Sequence, residues 1–445
     1  YQGVTGVQTC ALPIFMIKHY GKLIFPSIQL NDEKVARITK GIIKKEGHYY
    51  CIQCGNDDSS YMSKYYSPFL DKEIIYCRRC IQLGRIDSIT DYRITESTQL
   101  ATEGEFELPF TLSKQQQYAS DAIIKAIKNS ENLLLYAVTG AGKTEMMFDG
   151  ISLARQLGHN VAILSPRVDV VIEISHRIKE AFKNEEIDIL HQKQSQKYNG
   201  HFVIATVHQL YRFKQHFDTI FIDEVDAFPL SMDPNLLLAI DTASKTIHSH
   251  IYMTATPPRQ LIKQMSSNKI IKLPARFHRQ PLPVPRFKYF KLNTTRVQPQ
   301  FIHLLQTQIK QQRYTLVFFN HIETMKNAYL RYRAHIPNLI CVYSEDVYRF
   351  EKVEALRRGE HSIVFTTTIL ERGFTMARLD VIVINAETFS KAALIQIAGR
   401  VGRKIEEPNG LVLFLHEGVS LSMMSAKKDI TKMNRLGYKR GWLDA

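Results

Sequence analysis

The fold is decided by Leu133-Leu-Leu-Tyr-Ala-Val-Thr-Gly-Ala-Gly-Lys-Thr144, in which an apolar strand leads through a glycine loop into a helix. Gly140 and Gly142 let backbone N–H groups close around phosphate oxygens, and the helix start adds a partial positive charge. Lys143 is placed to reach the β and γ phosphates, and the Thr144 hydroxyl to bind Mg²⁺. The residues expected to hold ATP are therefore Thr139, Gly140, Ala141, Gly142, Lys143 and Thr144.

A second apolar strand ends in carboxylates, in the stretch Thr219-Ile-Phe-Ile-Asp-Glu-Val-Asp226. Asp223 is expected to hold Mg²⁺, directly or through water. Glu224 is expected to polarise the attacking water as a general base or as an orienting group. A solvated acidic turn would have a similar sequence. The position of this segment at a strand end after the phosphate loop favours a role in nucleotide hydrolysis instead.

Two further features indicate a motor rather than a simple ATPase. Ala137 stands where the strict phosphate-loop pattern has Gly, and Ala there is usual in superfamily 2 helicases. Thr254-Ala-Thr256 follows the apolar run Ile251–Met253, and at this spacing it is typical of the segment that links the nucleotide site to nucleic acid.

The second half of the chain supplies cationic candidates in Gln396-Ile-Ala-Gly-Arg-Val-Gly-Arg403. Gln396, Arg400 and Arg403 have the i, i+4, i+7 spacing of one helical face. We expect that face to meet the γ-phosphate across a cleft, with the two arginines as finger and clamp, because a planar guanidinium stabilises the charge of a transferring phosphoryl group.

Residues that follow predicted strands are the candidates for sequence-independent nucleic-acid contacts. Arg167, Thr206 and Thr367 are expected to contact the phosphate backbone. Gly373, further along the same segment as Thr367, is expected to close on the nucleotide. Gln116, near the start of the helix before the phosphate loop, is expected to read the adenine.

Four of the six cysteines form two Cys-x-x-Cys pairs, Cys51 with Cys54 and Cys77 with Cys80. Four thiolates suit tetrahedral Zn²⁺, and this arrangement indicates a reducing compartment rather than a disulfide framework. Basic and tyrosine residues surround the pairs. They could stack bases, or they could form the packing of a small structural or partner-docking domain.

Short apolar runs alternate with helical segments on both sides of a Pro-rich stretch. This pattern predicts an α/β protein with two tandem RecA-like parallel-sheet lobes and a small N-terminal zinc module. Residues 4–14 read as the conceptual translation of a common short-read sequencing adapter, and a helix is expected at 32–45. The predicted segments are 1–15 adapter artefact, 16–48 lead-in, 49–84 zinc module, 85–110 linker, 111–272 first lobe, 273–290 Pro-rich linker and 291–445 second lobe.

The overall charge favours a polyanionic partner. The chain has a formal charge of +15, from 58 Lys and Arg against 43 Asp and Glu, which suits nucleic acid. No uninterrupted apolar run approaches the ~18 residues of a membrane-spanning helix. We therefore expect a soluble protein with at most peripheral membrane contact.

Taken together, the motifs resemble the ComFA family of late competence proteins from Gram-positive bacteria, from about Tyr20 to Tyr438. The marks are the two Cys pairs, Ala137-Val-Thr-Gly-Ala-Gly-Lys-Thr-Glu-Met146, Asp223-Glu-Val-Asp-Ala-Phe-Pro229, Ala275-Arg-Phe-His278, Thr367-Thr-Ile-Leu-Glu-Arg-Gly373 and Gln396-Ile-Ala-Gly-Arg-Val-Gly-Arg403. Arg279 and Gln280 depart from the Gly expected after His278, which affects only local linker detail.

The resemblance implies a DNA-stimulated ATPase that helps to import transforming single-stranded DNA. It also implies a cytoplasmic position at the inner membrane face near the uptake channel, and a phosphoribosyltransferase-like partner, ComFC. One alternative is a replication-restart DNA helicase, although that protein carries its cysteine cluster within the motor rather than before it. The other is a zinc-containing nucleic-acid binder with an inactive nucleotide fold, against which the intact motif residues argue.

Overall fold

The computed structural model describes residues 17–192, 194–371 and 374–444. The predicted adapter segment, residues 1–15, lies outside the described residues. Gly373 also lies outside them, so its expected nucleotide contact stays a prediction.

Seven strands form the N-terminal unit: β1 Leu23–Ile24, β2 Val35–Lys40, β3 Ile42–Lys45, β4 His48–Cys51, β5 Met62–Ser67, β6 Lys72–Cys77 and β7 Asp91–Thr95. The first, seventh and second strands make an antiparallel sheet in the order β1-β7-β2, and β3-β4 and β5-β6 are hairpins. The chain segments before and after the cysteines therefore meet in one sheet.

The helix predicted at 32–45 is wrong, because β2 and β3 occupy that stretch. The segment contains the β-branched residues Val35, Ile38, Ile42 and Ile43, which favour extended backbone. Partners distant in sequence complete the strands, since Ile38 lies opposite Arg93 in the sheet.

A seven-stranded parallel sheet in the order β10-β11-β9-β12-β13-β8-β14 forms the centre of the first lobe. Its strands are β8 Leu133–Ala137, β9 Val161–Ser165, β10 Asp188–Leu190, β11 Phe202–Thr206, β12 Phe217–Asp223, β13 Ser244–Thr254 and β14 Ile270–Leu273. Its helices are α1 Lys114–Lys128, α2 Lys143–Met146, α3 Phe148–Gln156, α4 Val168–Ala181, α5 Pro234–Ala243 and α6 Arg259–Gln264. Three of these strands, β9, β11 and β12, are buried along their whole length, as expected for the centre of a sheet covered on both faces.

The second lobe contains a six-stranded parallel sheet in the order β15-β20-β19-β16-β18-β17. The strands are β15 Arg286–Tyr289, β16 Tyr314–Phe318, β17 Ile340–Val342, β18 Ile363–Thr366, β19 Leu379–Val383 and β20 Val412–His416. The helices are α7 Pro299–Lys310, α8 Ile322–Tyr332, α9 Arg349–Arg357, α10 Lys391–Ala398 and α11 Leu421–Lys439. The prediction of two tandem parallel-sheet lobes is confirmed.

Three apolar clusters fix the relative positions of these parts. One cluster runs through both lobes and includes Ile163 of the first and Val383 of the second. A second joins the cysteine knuckles to the first lobe, with Cys51 and Leu236 among its members. A third covers the other face of the second sheet. Because each fully buried large apolar side chain contributes about 1.5–3 kcal/mol, the shared clusters hold the lobes and the N-terminal unit together.

Candidate nucleotide and nucleic-acid site

The phosphate loop has the backbone that phosphate binding requires. After β8, Gly140 and Gly142 adopt left-handed φ angles of 80° and 76°, and α2 begins at Lys143. A Cβ atom on Gly142 would lie 2.3 Å from the side-chain nitrogen of Gln116, so the loop also passes too close to α1 for a larger residue. These two glycines allow the N–H groups to converge at the start of a helix.

The loop lysine is paired with the acidic strand end. Lys143 Nζ lies 2.7 Å from Asp223 Oδ1, and both side chains are largely shielded from solvent. Glu224 follows with a left-handed φ of 52°, and its N–H donates to Asp223 Oδ1 over 2.9 Å. The Thr144 side chain is buried in the first turn of α2. Cation, carboxylates and hydroxyl therefore stand at one edge of the first sheet.

A hydrogen-bonded link joins this edge to the strand next to it. The side chains of Thr254 and Thr256 both donate to the Asp226 carboxylate, the second over 2.5 Å. The N–H of Thr256 donates in turn to Thr254 Oγ1 over 2.9 Å. Hydrogen bonds thus connect the acidic segment to the Thr-Ala-Thr segment. The expected link from there to nucleic acid stays a prediction.

Gln116 lies at the start of α1 but is engaged in holding that helix end. Its side-chain oxygen accepts from the N–H of Ser113, and the Ser113 hydroxyl accepts from the N–H of Gln116, which makes a capping box. Its amide nitrogen faces Gly142. Reading of adenine by Gln116 stays a prediction, and the geometry shows this residue bracing the phosphate loop.

The phosphate loop touches the second lobe directly. Thr139 Oγ1 donates to the main-chain oxygen of Gly399 over 3.3 Å. A Cβ atom on Gly399 would lie 2.0 Å from Thr139 Oγ1, so glycine is required for this approach. The candidate nucleotide site therefore lies next to a contact between the lobes.

The arginine segment differs from its predicted shape. The expectation that Gln396, Arg400 and Arg403 share one helical face is wrong, because α10 ends at Ala398 and Gly402 adopts a φ of 66°. The chain turns away from the helix at this point, since only glycine enters the left-handed region without steric cost.

The two arginines consequently contact different main-chain groups. The buried Arg400 guanidinium donates to the carbonyl oxygens of Glu371, over 2.7 and 2.5 Å, and Phe374, over 2.5 Å. Arg403 Nε donates to the Gly399 oxygen over 2.9 Å. Gln396 is buried within α10. Arg400 thus holds the loop after β18, while Arg403 lies beside the contact between the lobes.

Sequence reasoning missed two residues of this interface, Gln115 and Arg276. The Gln115 side chain makes two hydrogen bonds to the backbone of Ala275, of 2.6 and 2.7 Å. Arg276 is 1% exposed and bonds to the segment Gly399–Gly402. Arg276 stands within the family mark Ala275-Arg-Phe-His278, but the sequence alone does not show its partner.

The three candidate nucleic-acid residues lie at carboxyl ends of strands. Thr206 ends β11 opposite Ser165 of β9. Arg167, two residues after Ser165, makes a bidentate ion pair with Asp169. Thr367 directly follows β18 in the second lobe. Hydroxyl and guanidinium groups at these edges suit backbone contacts to a strand, and their role stays a prediction.

The four knuckle cysteines converge on one point. The sulfur atoms of Cys51, Cys54, Cys77 and Cys80 all lie within 4.8 Å of one another, and all four residues are buried. The Sγ–Sγ distances are 3.7 Å for Cys51 with Cys80 and for Cys54 with Cys77. Four buried thiols at this separation fit the donor set and spacing of a tetrahedral Zn²⁺ site.

The cysteine unit is fastened to the first lobe by polar contacts as well as by the shared apolar cluster. Arg79, between Cys77 and Cys80, pairs with Asp233 over 2.6 Å. Asp233 caps α5, the helix that follows the acidic segment. Lys214 Nζ donates to the main-chain oxygen of Gln53 over 3.0 Å. The knuckles therefore lie against the element next to Asp223 and Glu224.

Three protein-family models match separate parts of the chain. The model of the ComFA N-terminal domain matches residues 25–93, that of the type III restriction enzyme res subunit 109–259, and that of the helicase conserved C-terminal domain 298–404. The competence protein ComFA of Bacillus subtilis is 36% identical over 94% of both chains. ComFA of Streptococcus pneumoniae is 32% identical over 94% of this chain and 98% of its own. The chain belongs to the ComFA family.

The lobes of this ComFA family member also share their fold with solved structures. Saccharomyces cerevisiae Dbp5 bound to RNA and ADP BeF3 superposes with a TM-score of 0.53 at 14% identity, over 73% of this chain and 88% of that one. At that identity the similarity concerns the fold alone. The replication restart protein PriA of Chlamydia muridarum is 32% identical, but over 29% of this chain and 18% of its own.

The described part of this ComFA family member contains no helix with the length and apolar character needed to cross a bilayer.

Replacing Arg400 by Ala should lower the kcat for ATP about 100-fold while changing nucleotide affinity much less. The substitution removes the donor to the carbonyls of Glu371 and Phe374, and a displacement of about 1 Å near a reacting group costs about that factor. Arg378→Ala is the matched control, because Arg378 also donates to a carbonyl of the second lobe but is exposed. Steady-state turnover with saturating single-stranded DNA checks this, and an unchanged kcat would show that the loop is not part of the site.

Proposed function

We propose that this ComFA family member is a DNA-stimulated ATPase that translocates along single-stranded DNA and drives its uptake during natural competence. The observation that carries the ATPase assignment is the ion pair of Lys143 with Asp223, next to a phosphate loop that contacts the second lobe through Thr139 and Gly399. The relatives named ComFA support the competence role.

The residues would act on ATP in defined roles. N–H groups of the phosphate loop would bind the phosphate oxygens, and Lys143 would leave Asp223 to reach the β and γ phosphates. Glu224 would orient the attacking water and accept its proton. Attack on the γ-phosphorus forms one P–O bond while the bond to the β–γ bridging oxygen breaks, which releases ADP and phosphate.

Two metal ions belong to this proposal. The Thr144 hydroxyl and the Asp223 carboxylate offer the oxygen ligands that Mg²⁺ prefers, and the ion would neutralise charge on the phosphates. The four cysteines would hold Zn²⁺ in a structural role. With both ions bound, Glu224 would still be the protein group that orients the attacking water and accepts its proton.

Nucleic acid would lie across the carboxyl edges of the two sheets. Arg167 and Thr206 in the first lobe and Thr367 in the second would bind successive phosphates, so closure of the lobes on ATP and their reopening would move the strand. None of these groups is placed to read base edges, so binding should tolerate any sequence and weaken steeply with salt.

The cellular part of the proposal follows the family. We place the protein in the cytoplasm, at the inner membrane face beside the DNA-uptake channel, with ComFC as a partner. The formal charge of +15 suits both DNA and an anionic membrane surface.

The test combines purified protein and cells. Single strands should stimulate ATP turnover more than blunt duplex. In a competent host, Glu224→Gln as the only copy should reduce transformation by chromosomal DNA and leave DNA binding at the cell surface intact, because the variant binds ATP but hydrolyses it slowly. Glu186→Gln, an isosteric change at an exposed residue, is the control. Normal transformation with the Glu224 variant would reject the import role.

A further inference from the structure

A buried guanidinium stands between the lobes and belongs to no motif that the proposed function uses. Arg276 follows β14 in the segment that leads to the second lobe, and it is among the largest fully buried side chains of the described residues. Burying a cation is costly unless hydrogen bonds replace its water. The contacts of Arg276 therefore show what keeps it there.

The terminal nitrogens of Arg276 donate hydrogen bonds to one loop of the second lobe. Nη1 donates to the main-chain oxygens of Val401, over 2.7 Å, and Gly402, over 2.5 Å. Nη2 donates to the oxygen of Gly399 over 3.3 Å. The neighbouring His278 contacts the same Gly402 oxygen through Nε2 over 3.0 Å. Three carbonyls beyond the end of α10 are thus held from outside their own lobe.

The other side of the same segment is fixed to the phosphate loop. The N–H of Phe277 donates to the oxygen of Gly140 over 3.0 Å. A Cβ atom on Gly140 would lie 3.6 Å from Cγ of Arg276, which is ordinary contact distance. The two hydrogen bonds between Gln115 and Ala275 anchor the segment to α1. The backbone next to Arg276 is therefore hydrogen-bonded to the first lobe, while the Arg276 side chain is hydrogen-bonded to the second.

The carbonyl of Gly399 is where these contacts converge. It accepts from Thr139 of the phosphate loop, from Arg276 and from Arg403. Burial, with the charge of Arg403 nearby, lowers the pKa of Arg276 to about 9, so the side chain remains cationic at neutral pH. Two cations and one hydroxyl thus determine the position of a single peptide group.

One donor of the guanidinium is left without an acceptor. Arg276 Nε is buried beside Gly140 and has no hydrogen-bond partner within the described part of the chain. A buried donor of this kind reduces stability, so packing alone does not explain why an arginine stands here.

We infer that Arg276 is a positioning residue that fixes the loop Gly399–Gly402 against the phosphate loop, so that ATP bound in the first lobe sets the position of Arg403. The inference rests on the proposed ATPase function. Arg276 itself acts through the loop that it holds, and its planar fork reaches three carbonyls, which the single ammonium of a lysine does not.

Three variants test this role. Arg276→Ala should lower the kcat for ATP about 100-fold and change the affinity for a fluorescent ATP analogue much less, because the loop shifts while the phosphate loop remains. Arg276→Lys should restore part of the kcat, since it returns the charge without the fork. Arg279→Ala is the matched control, because Arg279 lies in the same segment but pairs with Asp444 at the surface. It should behave as wild type.

Hydrogen exchange supplies a readout that does not depend on turnover. Amides of residues 399–402 should exchange faster in Arg276→Ala than in wild type and remain unchanged in Arg279→Ala. An unchanged kcat in Arg276→Ala, or unchanged exchange in this loop, would overturn the inference. If Arg276→Ala fails to fold, the same two measurements on Arg276→Lys decide the question. A wild-type protein without DNA-stimulated turnover would reject the proposed function, whereas the exchange result would still decide whether Arg276 holds the loop.

Discussion

Replacing Lys143 by Ala should reduce DNA-stimulated ATP turnover by at least about 10²–10³-fold, because the variant loses a preorganised cation at the phosphates. The structure adds a second reason. Lys143 is the ion-pair partner of Asp223 at 2.7 Å, and both side chains are largely shielded from solvent. Without Lys143, the site loses the cation that pairs with Asp223 and would then bind the phosphates, so nucleotide binding should weaken as well as hydrolysis.

A matched lysine separates this effect from a general change in charge. Lys183 of the same lobe also pairs with a carboxylate, that of Glu107 before α1, at 2.6 Å, but both residues of that pair are exposed. Phosphate release and binding of a fluorescent nucleotide should be measured for Lys143→Ala, Lys183→Ala and wild type. Turnover by Lys143→Ala above a tenth of wild type would show that the ion pair does not mark the catalytic centre.

The parts of this site that could be predicted from sequence are those set by local backbone. The glycines at 140 and 142 and the strand ending at Asp223 carry their geometry within a few residues of chain. The strand-loop-helix context was therefore enough to predict their positions. The alternation of apolar runs with helical segments was enough to predict both parallel sheets. The spacing of the cysteine pairs likewise predicted the cluster, because two Cys-x-x-Cys pairs can bring four thiols to one point.

The parts that could not be predicted depend on partners distant in sequence. The stretch 32–45 has exposed strand residues with no clean alternation, and β7 determines its structure by pairing with it. Gln396, Arg400 and Arg403 have helical spacing, but the turn at Gly402 separates them. Arg276 lies in a linker, and only the fold shows that it meets Gly399.

One contact between the N-terminal unit and the first lobe lies close to the acidic segment. Arg79 of the second knuckle pairs with Asp233, which caps α5, and only a turn separates Asp233 from Asp226. Gly55 lies so close to α5 that a Cβ atom there would meet Leu238 at 2.3 Å. Unfolding of the knuckles would therefore expose the surface of the first lobe next to the acidic segment.

Replacing Cys51 and Cys54 together by Ser should reduce bound zinc from about one ion per chain to none, because half of a tetrahedral site is lost. Structural zinc contributes about 10–16 kcal/mol of apparent binding free energy in small domains, so its loss should loosen the hairpins β3-β4 and β5-β6. The knuckles should then become sensitive to protease between residues 49 and 84. The two lobes should stay folded, because two of the three apolar clusters contain no residue of the N-terminal unit.

The control for this variant is the lone buried thiol of the second lobe. Cys341→Ser removes a cysteine from a different apolar cluster, so zinc content and protease resistance of residues 49–84 should match wild type. Elemental analysis, limited proteolysis and thermal unfolding measure the three effects. Full zinc in the double variant would reject the four-cysteine site. Loss of zinc together with cooperative unfolding of both lobes would instead show that the knuckles, through Arg79 and Asp233, stabilise both lobes as well as their own unit.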